Sequence, residues 1–317
     1  MASILITGGS GFVGQHLIQC LIQEGQEVAS LSRMDLDLAK YNPIKTALTK
    51  DRDILIHLAS SVNINDMLKN PRETIANNID STLNLLEDIR LNNPSCLLVF
   101  LSSEKVYGNT TGNFTDISID EENSTIPVDP YGSSKLISEL LIKSYQSNYN
   151  LNYIILRAGN IFGPGQKPDL FIPSIITKII EHPEKVTLGS LEAYRNFIYV
   201  EDLIKAIASC LKKTEDSPEA RSKVLNQTFH LSAYNLKIAE VLKEIITLAG
   251  SAGINPIIVQ DKGLFRASET QAQRYFLSCE KAHRLLNWQP QYQFSEAIKN
   301  TFDSYLKKNR NLTSSNR

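Results

Sequence analysis

The stretch Thr7-Gly8-Gly9-Ser10-Gly11-Phe12-Val13-Gly14 follows the apolar run Ile4–Ile6 and precedes a segment with helical periodicity. Glycines at positions 8, 11 and 14 permit a tight turn and the close approach of a pyrophosphate to the backbone, and the start of the following helix offers unpaired N–H groups. We therefore expect a dinucleotide to bind here, in contact with Gly8, Gly11, Phe12, Val13 and Gly14.

Short apolar runs alternate with helical stretches through the first half of the chain. Between the first two runs, Leu17 and Leu21 share one helical face and Gly25 follows as a C-terminal cap. This rhythm predicts an α/β fold, a Rossmann-type doubly wound parallel sheet with helices on both faces. The predicted strands are 4–6, 28–31, 54–56, 97–101 and 153–156.

The regular alternation breaks after Pro164. We expect a dinucleotide-binding domain over residues 1–164 and a smaller C-terminal substrate-binding domain over 165–317, with segments near 195–204 and 226–232 returning to the first. Later helices are predicted at 238–249 and 294–306. The polar stretch 109–130 has no strong periodicity and predicts a long loop.

Composition excludes several classes of protein. The 33 Lys and Arg residues nearly cancel the 34 Asp and Glu residues, which gives no reason to expect a nucleic acid or an anionic membrane as partner. No apolar stretch approaches the ~18 residues of a membrane span, and the start of the chain lacks the pattern of a signal peptide. The four cysteines are scattered, which predicts reduced thiols in a cytoplasmic protein without a metal site.

The choice of dinucleotide depends on the end of the second strand, Leu31-Ser32-Arg33. An acidic residue at this point binds the ribose of NAD, whereas a cation pairs with the 2′-phosphate of NADP. Arg33 and Ser32 favour NADP, although Asp35 and Asp37 follow closely and leave NAD open.

A candidate catalytic group lies at Tyr131-Gly132-Ser133-Ser134-Lys135, which opens a helix. Tyr131 and Lys135 are four residues apart and therefore point the same way. A lysine ammonium lowers the pKa of a neighbouring phenol, so this pair is suited to proton transfer coupled to hydride transfer. Ser103 follows the fourth strand at the sheet edge where α/β proteins bind ligands, and could hydrogen-bond the reacting oxygen.

From residue 2 to about 306 the chain resembles the extended short-chain dehydrogenase/reductases of the NAD-dependent epimerase/dehydratase family. Beyond the glycine turn and the Tyr131/Lys135 pair, the likeness covers five further segments in the same order. These are His57-Leu58-Ala59, Asn77-Asn78, residues 157–166 (RAGNIFGPGQ), 195–202 (RNFIYVED) and 281–290 (KAHRLLNWQP).

The resemblance implies roles for these residues. Leu58, Ala59 and Asn78 would line the cofactor. Asn160 and the segment beginning at Phe171 would contact a nucleotide-diphosphate sugar, whose diphosphate Arg195 and Arg266 would neutralise. The family pattern Arg-Pro-Gly-Asp is replaced by Arg266-Ala267-Ser268-Glu269, which weakens the assignment of Arg266.

The pair Glu104-Lys105 narrows the chemistry. Sugar-nucleotide 4,6-dehydratases of the family carry an Asp-Glu acid/base pair there, and a lysine cation is a poor base for C5, so 4,6-dehydration is disfavoured. Lys105 also stands where the related 3,5-epimerising synthases have a cysteine. Glu104 is kept as a candidate substrate contact.

Three functions remain open. The SSxxVYG and GPGQ segments resemble the 4-epimerases, which we place first, and the short segment after Arg33 resembles NADPH-dependent 4-keto-sugar reductases. A non-catalytic dinucleotide-sensing protein is the alternative of another class. The resemblance also implies a homodimer formed through residues 71–91 and 131–149.

Overall fold

A six-stranded parallel sheet forms the centre of the computed structural model, which describes residues 2–62, 67, 69–108, 117–264 and 275–315. All neighbouring strands pair in parallel; for example, Ile4 of the first strand lies opposite Val28 on one side and Ile54 on the other. The strands are β1 (Ser3–Thr7), β2 (Glu27–Leu31), β3 (Ile54–His57), β4 (Leu97–Ser103), β6 (Tyr153–Ala158) and β10 (Gln227–Leu231).

The order of the strands places a crevice at one edge of the sheet. The order is β10-β6-β4-β3-β1-β2, so the chain leaves β1 toward β2 and then returns to place β3 on its other side. Connections that diverge in this way leave a crevice outside the carboxyl ends of the strands, where α/β proteins bind ligands. The predicted α/β fold and its five strands are confirmed.

Alternate residues of the strands face two separate apolar layers, as expected for a sheet covered on both faces. Ile4, Ile6 and Ile56 pack on helices α1 (Phe12–Gln23) and α5 (Val200–Asp216). Leu5, Leu55 and Phe100 pack on α2 (Pro71–Asn92) and α3 (Pro130–Tyr149). The predicted cap Gly25 has φ +80°, which suits glycine.

Three small sheets, five further α-helices and three short 3-10 helices (Leu38–Lys40, Glu104–Tyr107 and Lys262–Leu264) complete the described part of the chain. Strand β9 (Tyr194–Tyr199) pairs with β7 (Asn160–Phe162) and β11 (Tyr234–Lys237), β8 (Val186–Leu188) pairs with β12 (Ile258–Gln260), and β5 (Ile117–Ile119) pairs with β13 (Tyr275–Leu277). The helices are α4 (Phe171–Glu181), α6 (Pro218–Val224), α7 (Ile238–Ser251), α8 (Glu280–Leu286) and α9 (Phe294–Ser315).

The polar stretch 109–130 is not a loop throughout. The sequence predicts a loop over this whole stretch, of which residues 109–116 lie outside the described residues. Residues 117–119 form β5, because they pair with residues 275–277, far along the chain, and no local pattern reports such a pairing.

The boundary at residue 164 stays a prediction. Residues 227–231 join the six-stranded sheet as β10, at its edge. The segment 195–204 falls in two elements. Residues 195–199 belong to β9, outside that sheet, and residues 200–204 begin α5, which packs on α1.

No helix within the described ranges is long and apolar enough to cross a membrane. In the same ranges, no group of three or more His, Cys, Asp or Glu side chains is arranged to hold a metal ion.

Candidate active site

The glycine turn joins β1 to α1 in a shape that only glycine permits. Gly8 has φ +77°, and its N–H donates to the Leu31 carbonyl oxygen at 2.8 Å. A Cβ on Gly14 would lie 2.4 Å from the Gly8 carbonyl oxygen, so helix and turn touch directly. Gly11 caps α1 without a side-chain acceptor, and the first turn of α1 has no acidic residue. The turn therefore fits a pyrophosphate, with backbone donors and the positive end of the helix dipole facing it.

The loop after β3 closes the other side of this turn. The Leu58 N–H donates to the Thr7 carbonyl oxygen at 3.1 Å, and a Cβ on Gly8 would lie 2.8 Å from the Ala59 nitrogen. Asn78 is buried; it accepts from the Ser61 N–H at 2.8 Å and donates to Ser134 Oγ at 3.0 Å. Asn78 therefore links this loop to α3, which carries Tyr131.

The end of β2 shows an arrangement that the sequence pattern did not predict. Both the N–H and the hydroxyl of Ser32 donate to one Asp35 carboxylate oxygen, at 2.7 and 2.6 Å. These hydrogen bonds lower the pKa of Asp35, so its negative charge is held beside Ser32. Arg33 is exposed. The donors that we expected Ser32 to offer to a 2′-phosphate are thus directed to a carboxylate.

Ser103, Tyr131 and Lys135 are brought together at the carboxyl edge of the sheet. Helix α3 begins at Pro130, with the Asp129 side chain accepting from the Gly132 N–H at 2.8 Å, so Tyr131 lies in the first turn. Tyr131 and Ser103 share a side-chain hydrogen bond. The Lys135 ammonium lies 5.9 Å from the centroid of the Tyr131 ring and donates to the Leu101 carbonyl oxygen at 2.8 Å.

Burial sets the charge state of this group. It raises the pKa of Tyr131 to about 12, an effect that the hydrogen bond from Ser103 opposes. It lowers the pKa of Lys135 to about 7, while the charge of Glu139 acts in the opposite direction. Both groups therefore respond strongly to any further charge placed beside them.

Glu104 lies next to this group but is held by protein side chains. Its carboxylate is 2% exposed and accepts from the Asn160 and Asn196 amides, both at 2.7 Å. The Tyr275 side chain also hydrogen-bonds Glu104, and the Lys105 ammonium lies 3.8 Å from it. Glu104 therefore joins the end of β4 to β7, β9 and β13.

Asn196 and Tyr275 complete this cluster, and neither is among the site residues predicted from the sequence. Asn196 is 3% exposed and lies on β9 between Arg195 and Phe197, within the segment 195–202 whose likeness to the family was the available signal. No local pattern indicated Tyr275.

Of the other residues predicted to contact the substrate, Phe171 and Arg195 lie within the described part of the chain. Phe171 is the first residue of α4 and stacks on Phe197 with ring centroids 6.3 Å apart. Arg195 lies on β9, next to Asn196, and donates to the Tyr194 carbonyl oxygen at 3.0 Å. Arg266 lies outside the described residues.

The fold and this site define a nucleotide-dependent α/β protein with a tyrosine–lysine pair beside a pyrophosphate-binding turn. The model of the NAD dependent epimerase/dehydratase family matches residues 4–226. The chain belongs to this family, as the sequence likeness predicted.

The chain is similar to known nucleotide-sugar enzymes over nearly its whole length. The chain is 27% identical to a Methanocaldococcus jannaschii protein provisionally assigned as a UDP-glucose 4-epimerase, over 97% of this chain and 99% of that protein. It is 24% identical to the human dTDP-D-glucose 4,6-dehydratase, over 95% and 89%. The structure of RMD from Pseudomonas aeruginosa in complex with NADPH superposes with a TM-score of 0.82 at 25% identity, covering 97% of this chain and 100% of that one.

Proposed function

We propose that this chain is a nucleotide-sugar 4-epimerase that acts by hydride transfer at C4 of an NDP-sugar. The observation that carries the proposal is the hydrogen-bonded Ser103–Tyr131 pair with Lys135 one helical turn away, next to the glycine turn. The full-length similarity to a protein assigned as a UDP-glucose 4-epimerase supports the choice of reaction.

The roles of the residues follow from this geometry. The Gly8–Gly14 turn would hold a nicotinamide dinucleotide, which would supply the hydride acceptor and donor when bound. Tyr131 Oη would take the proton of the sugar 4-hydroxyl when C4 is oxidised, and would return it to the same oxygen when C4 is reduced from the opposite face of the sugar. Ser103 donates to the reacting oxygen. The Lys135 ammonium stabilises the Tyr131 phenolate, which burial alone disfavours.

Lys105 distinguishes this reaction from 4,6-dehydration. Dehydration needs a base that removes the proton at C5, and the residue following Glu104 is a cation. The Glu104 carboxylate itself is occupied by two amides and Tyr275, which leaves it to shape the pocket.

NADPH-dependent reduction of an NDP-4-keto sugar is the second candidate. It would use the same three residues, and it is favoured by the exposed Arg33 and by the likeness to RMD in complex with NADPH. A non-catalytic sensor of dinucleotides is the third candidate, and the intact Tyr131–Lys135 pair argues against it.

The first experiment is to denature freshly purified protein and identify the released nucleotide by mass spectrometry, followed by incubation with UDP-glucose and separation of the C4 epimers. Near-stoichiometric NAD and epimer formation would support the epimerase. An empty site that binds added NADPH, with oxidation of NADPH by an NDP-4-keto sugar, would establish the reductase. Dinucleotide binding without turnover of either substrate would support the sensor.

The proposed assembly is a homodimer. Helices α2 and α3 pack side by side, and α3 exposes Ile137 (39%) and Leu140 (58%). Burial of these side chains against a second copy would remove them from water. Light scattering should show a dimer for the wild type and a monomer for Ile137→Lys/Leu140→Lys; a monomeric wild type would contradict the proposal.

The proposed location is the cytoplasm, because all four cysteines are free thiols. Fractionation of cells that produce the protein would test this, and recovery from a secreted fraction would contradict it.

A further inference from the structure

A buried ion pair lies directly behind the proposed catalytic lysine. Glu139 follows Lys135 by four residues on α3, and its side chain is 1% exposed. Its carboxylate accepts from Arg157 Nη2 at 2.7 Å, from Arg157 Nε at 3.1 Å and from Ser102 Oγ at 2.5 Å. A buried carboxylate with this many donors is held in one charged, fixed position.

Arg157 is itself fixed from its far side. Its Nη1 donates to the Tyr107 hydroxyl at 2.6 Å. Burial lowers the pKa of His230 to about 3, so its imidazole is neutral. His230 Nδ1 donates to the Ser278 carbonyl oxygen at 3.1 Å, which leaves Nε2 to accept from the Tyr107 hydroxyl. The guanidinium is therefore hydrogen-bonded on the side away from Glu139 as well as to Glu139 itself.

Lys135 is tied to the same strand as Ser102. Its ammonium donates to the carbonyl oxygen of Leu101, the residue before Ser102, and lies 4.7 Å from the centroid of the Phe100 ring. The titratable groups that face Lys135 are Tyr131 and Glu139 on its own helix and His57 on β3, with Arg157 on β6 behind Glu139. Of these, Glu139 carries the negative charge that acts on the ammonium.

We propose that Glu139, held by Arg157 and Ser102, is a positioning residue that keeps Lys135 protonated and thereby sets the alkaline limit of activity. A full negative charge one helical turn away in a buried site favours the ammonium form of lysine. Because Glu139 is anchored by Arg157, it exerts this effect without forming a direct ion pair that would withdraw Lys135 from Tyr131. The inference rests on the proposed role of Lys135.

The test follows the charge of Lys135 directly. Protein labelled with ¹³Cε-lysine is titrated by NMR, and the Lys135 signal is assigned from its absence in Lys135→Met. In Glu139→Gln we expect the pKa of Lys135 to fall by about 1, since loss of a nearby opposite charge disfavours the charged form. The alkaline limb of the kcat/KM profile should move to lower pH by the same amount.

A second variant covers the case in which Glu139→Gln does not fold, since it leaves Arg157 buried without a counter-charge. Glu139→Gln/Arg157→Met removes both charges, and the pKa of Lys135 should fall in the same direction by a smaller amount. The conservative variant Glu139→Asp should keep the wild-type titration.

The matched control is Glu87→Gln, which breaks another Glu–Arg pair, with Arg90 of α2 at 2.7 Å, and should leave Lys135 unchanged. An unchanged Lys135 titration in folded Glu139→Gln or in folded Glu139→Gln/Arg157→Met would overturn the inference. The proposed function fails in a different way, by Lys135→Met retaining full activity.

Discussion

The Lys135 ammonium lies one helical turn after Tyr131, 5.9 Å from the centroid of its ring and hydrogen-bonded to the backbone of β4. The lysine is thus held beside the phenol without taking its hydroxyl, which remains paired with Ser103. This arrangement leaves Tyr131 Oη available to a substrate oxygen, and the first two predictions follow from it.

Tyr131→Phe removes the proposed proton-transfer group and nothing else. We expect kcat to fall by about 10²- to 10⁴-fold, the usual contribution of a positioned acid/base group, with little change in thermal stability. The measurement is steady-state turnover of the NDP-sugar identified in the epimer assay. Tyr149→Phe, at a half-exposed tyrosine at the end of α3, is the control and should retain full activity. Unchanged turnover in Tyr131→Phe would remove the catalytic assignment.

Lys135→Met should abolish activity while making the cofactor-free protein more stable near pH 7. Burial lowers the pKa of Lys135 from 10.5 to about 7 in the folded state, so between these values the unfolded chain binds more protons than the folded chain. Lys135 therefore makes the free energy of unfolding of the wild type increase as pH rises from 7 toward 10.5.

The advantage of Lys135→Met over the wild type should accordingly shrink by about 2 kcal/mol between pH 7 and pH 9. Urea denaturation of both proteins at the two pH values measures this difference. A constant difference between them would show that burial does not lower the pKa of Lys135.

Gly14→Ala should abolish dinucleotide binding. The new Cβ would lie 2.4 Å from the Gly8 carbonyl oxygen, so the turn must open and its N–H groups lose their common direction. Calorimetric titration with NAD and NADP measures the loss. Gly250→Ala is the matched control: its Cβ meets nothing within 4 Å on α7, so binding should persist and stability should rise by up to about 1 kcal/mol. Normal binding by Gly14→Ala would place the dinucleotide elsewhere.

Asp35 and Arg33 should act in opposite directions on the choice of dinucleotide. Asp35→Ala frees both donors of Ser32 and removes a negative charge, so the affinity for NADPH should rise about tenfold. Arg33→Ala should weaken the binding of NADPH by a similar factor and leave the affinity for NADH unchanged. Fluorescence titration measures the dissociation constants of both dinucleotides for each variant. Lys45→Ala, at an exposed lysine, is the control. Equal effects on both dinucleotides would exclude the end of β2 as the discriminating site.

Glu104→Gln should lower the stability of the fold as well as activity. Each carboxylate oxygen accepts from an asparagine amide, and a glutamine NH₂ would face one of those amides donor to donor. We expect a loss of about 1–3 kcal/mol in the free energy of unfolding, the cost of an unpaired buried polar group. Chemical denaturation tests this, and exposed Glu122→Gln should be neutral. A neutral Glu104→Gln would show that the cluster does not hold the small sheets to β4.

The features that were predicted correctly from the sequence all depend on residues that are close together in the chain. The glycine turn, the strand Ile54–His57 and the Tyr131–Lys135 pair each depend on spacings of a few residues, which backbone geometry converts directly into position. The strand β5 and the contact of Tyr275 with Glu104 depend on segments more than 150 residues apart, and no spacing reports them.

The sequence by itself determined the alternation of strands and helices, the turn that receives a pyrophosphate, and the helical face that carries Tyr131 and Lys135. Only the tertiary structure decided the charge and the hydrogen-bond partners of the site residues. Asp35 accepts both donors of Ser32, and the amides of Asn160 and Asn196 donate to the Glu104 carboxylate. Arg157 holds Glu139 behind Lys135. The physical reason is that periodicity is a property of the local backbone. Burial and hydrogen-bond partners depend instead on which distant segments pack together.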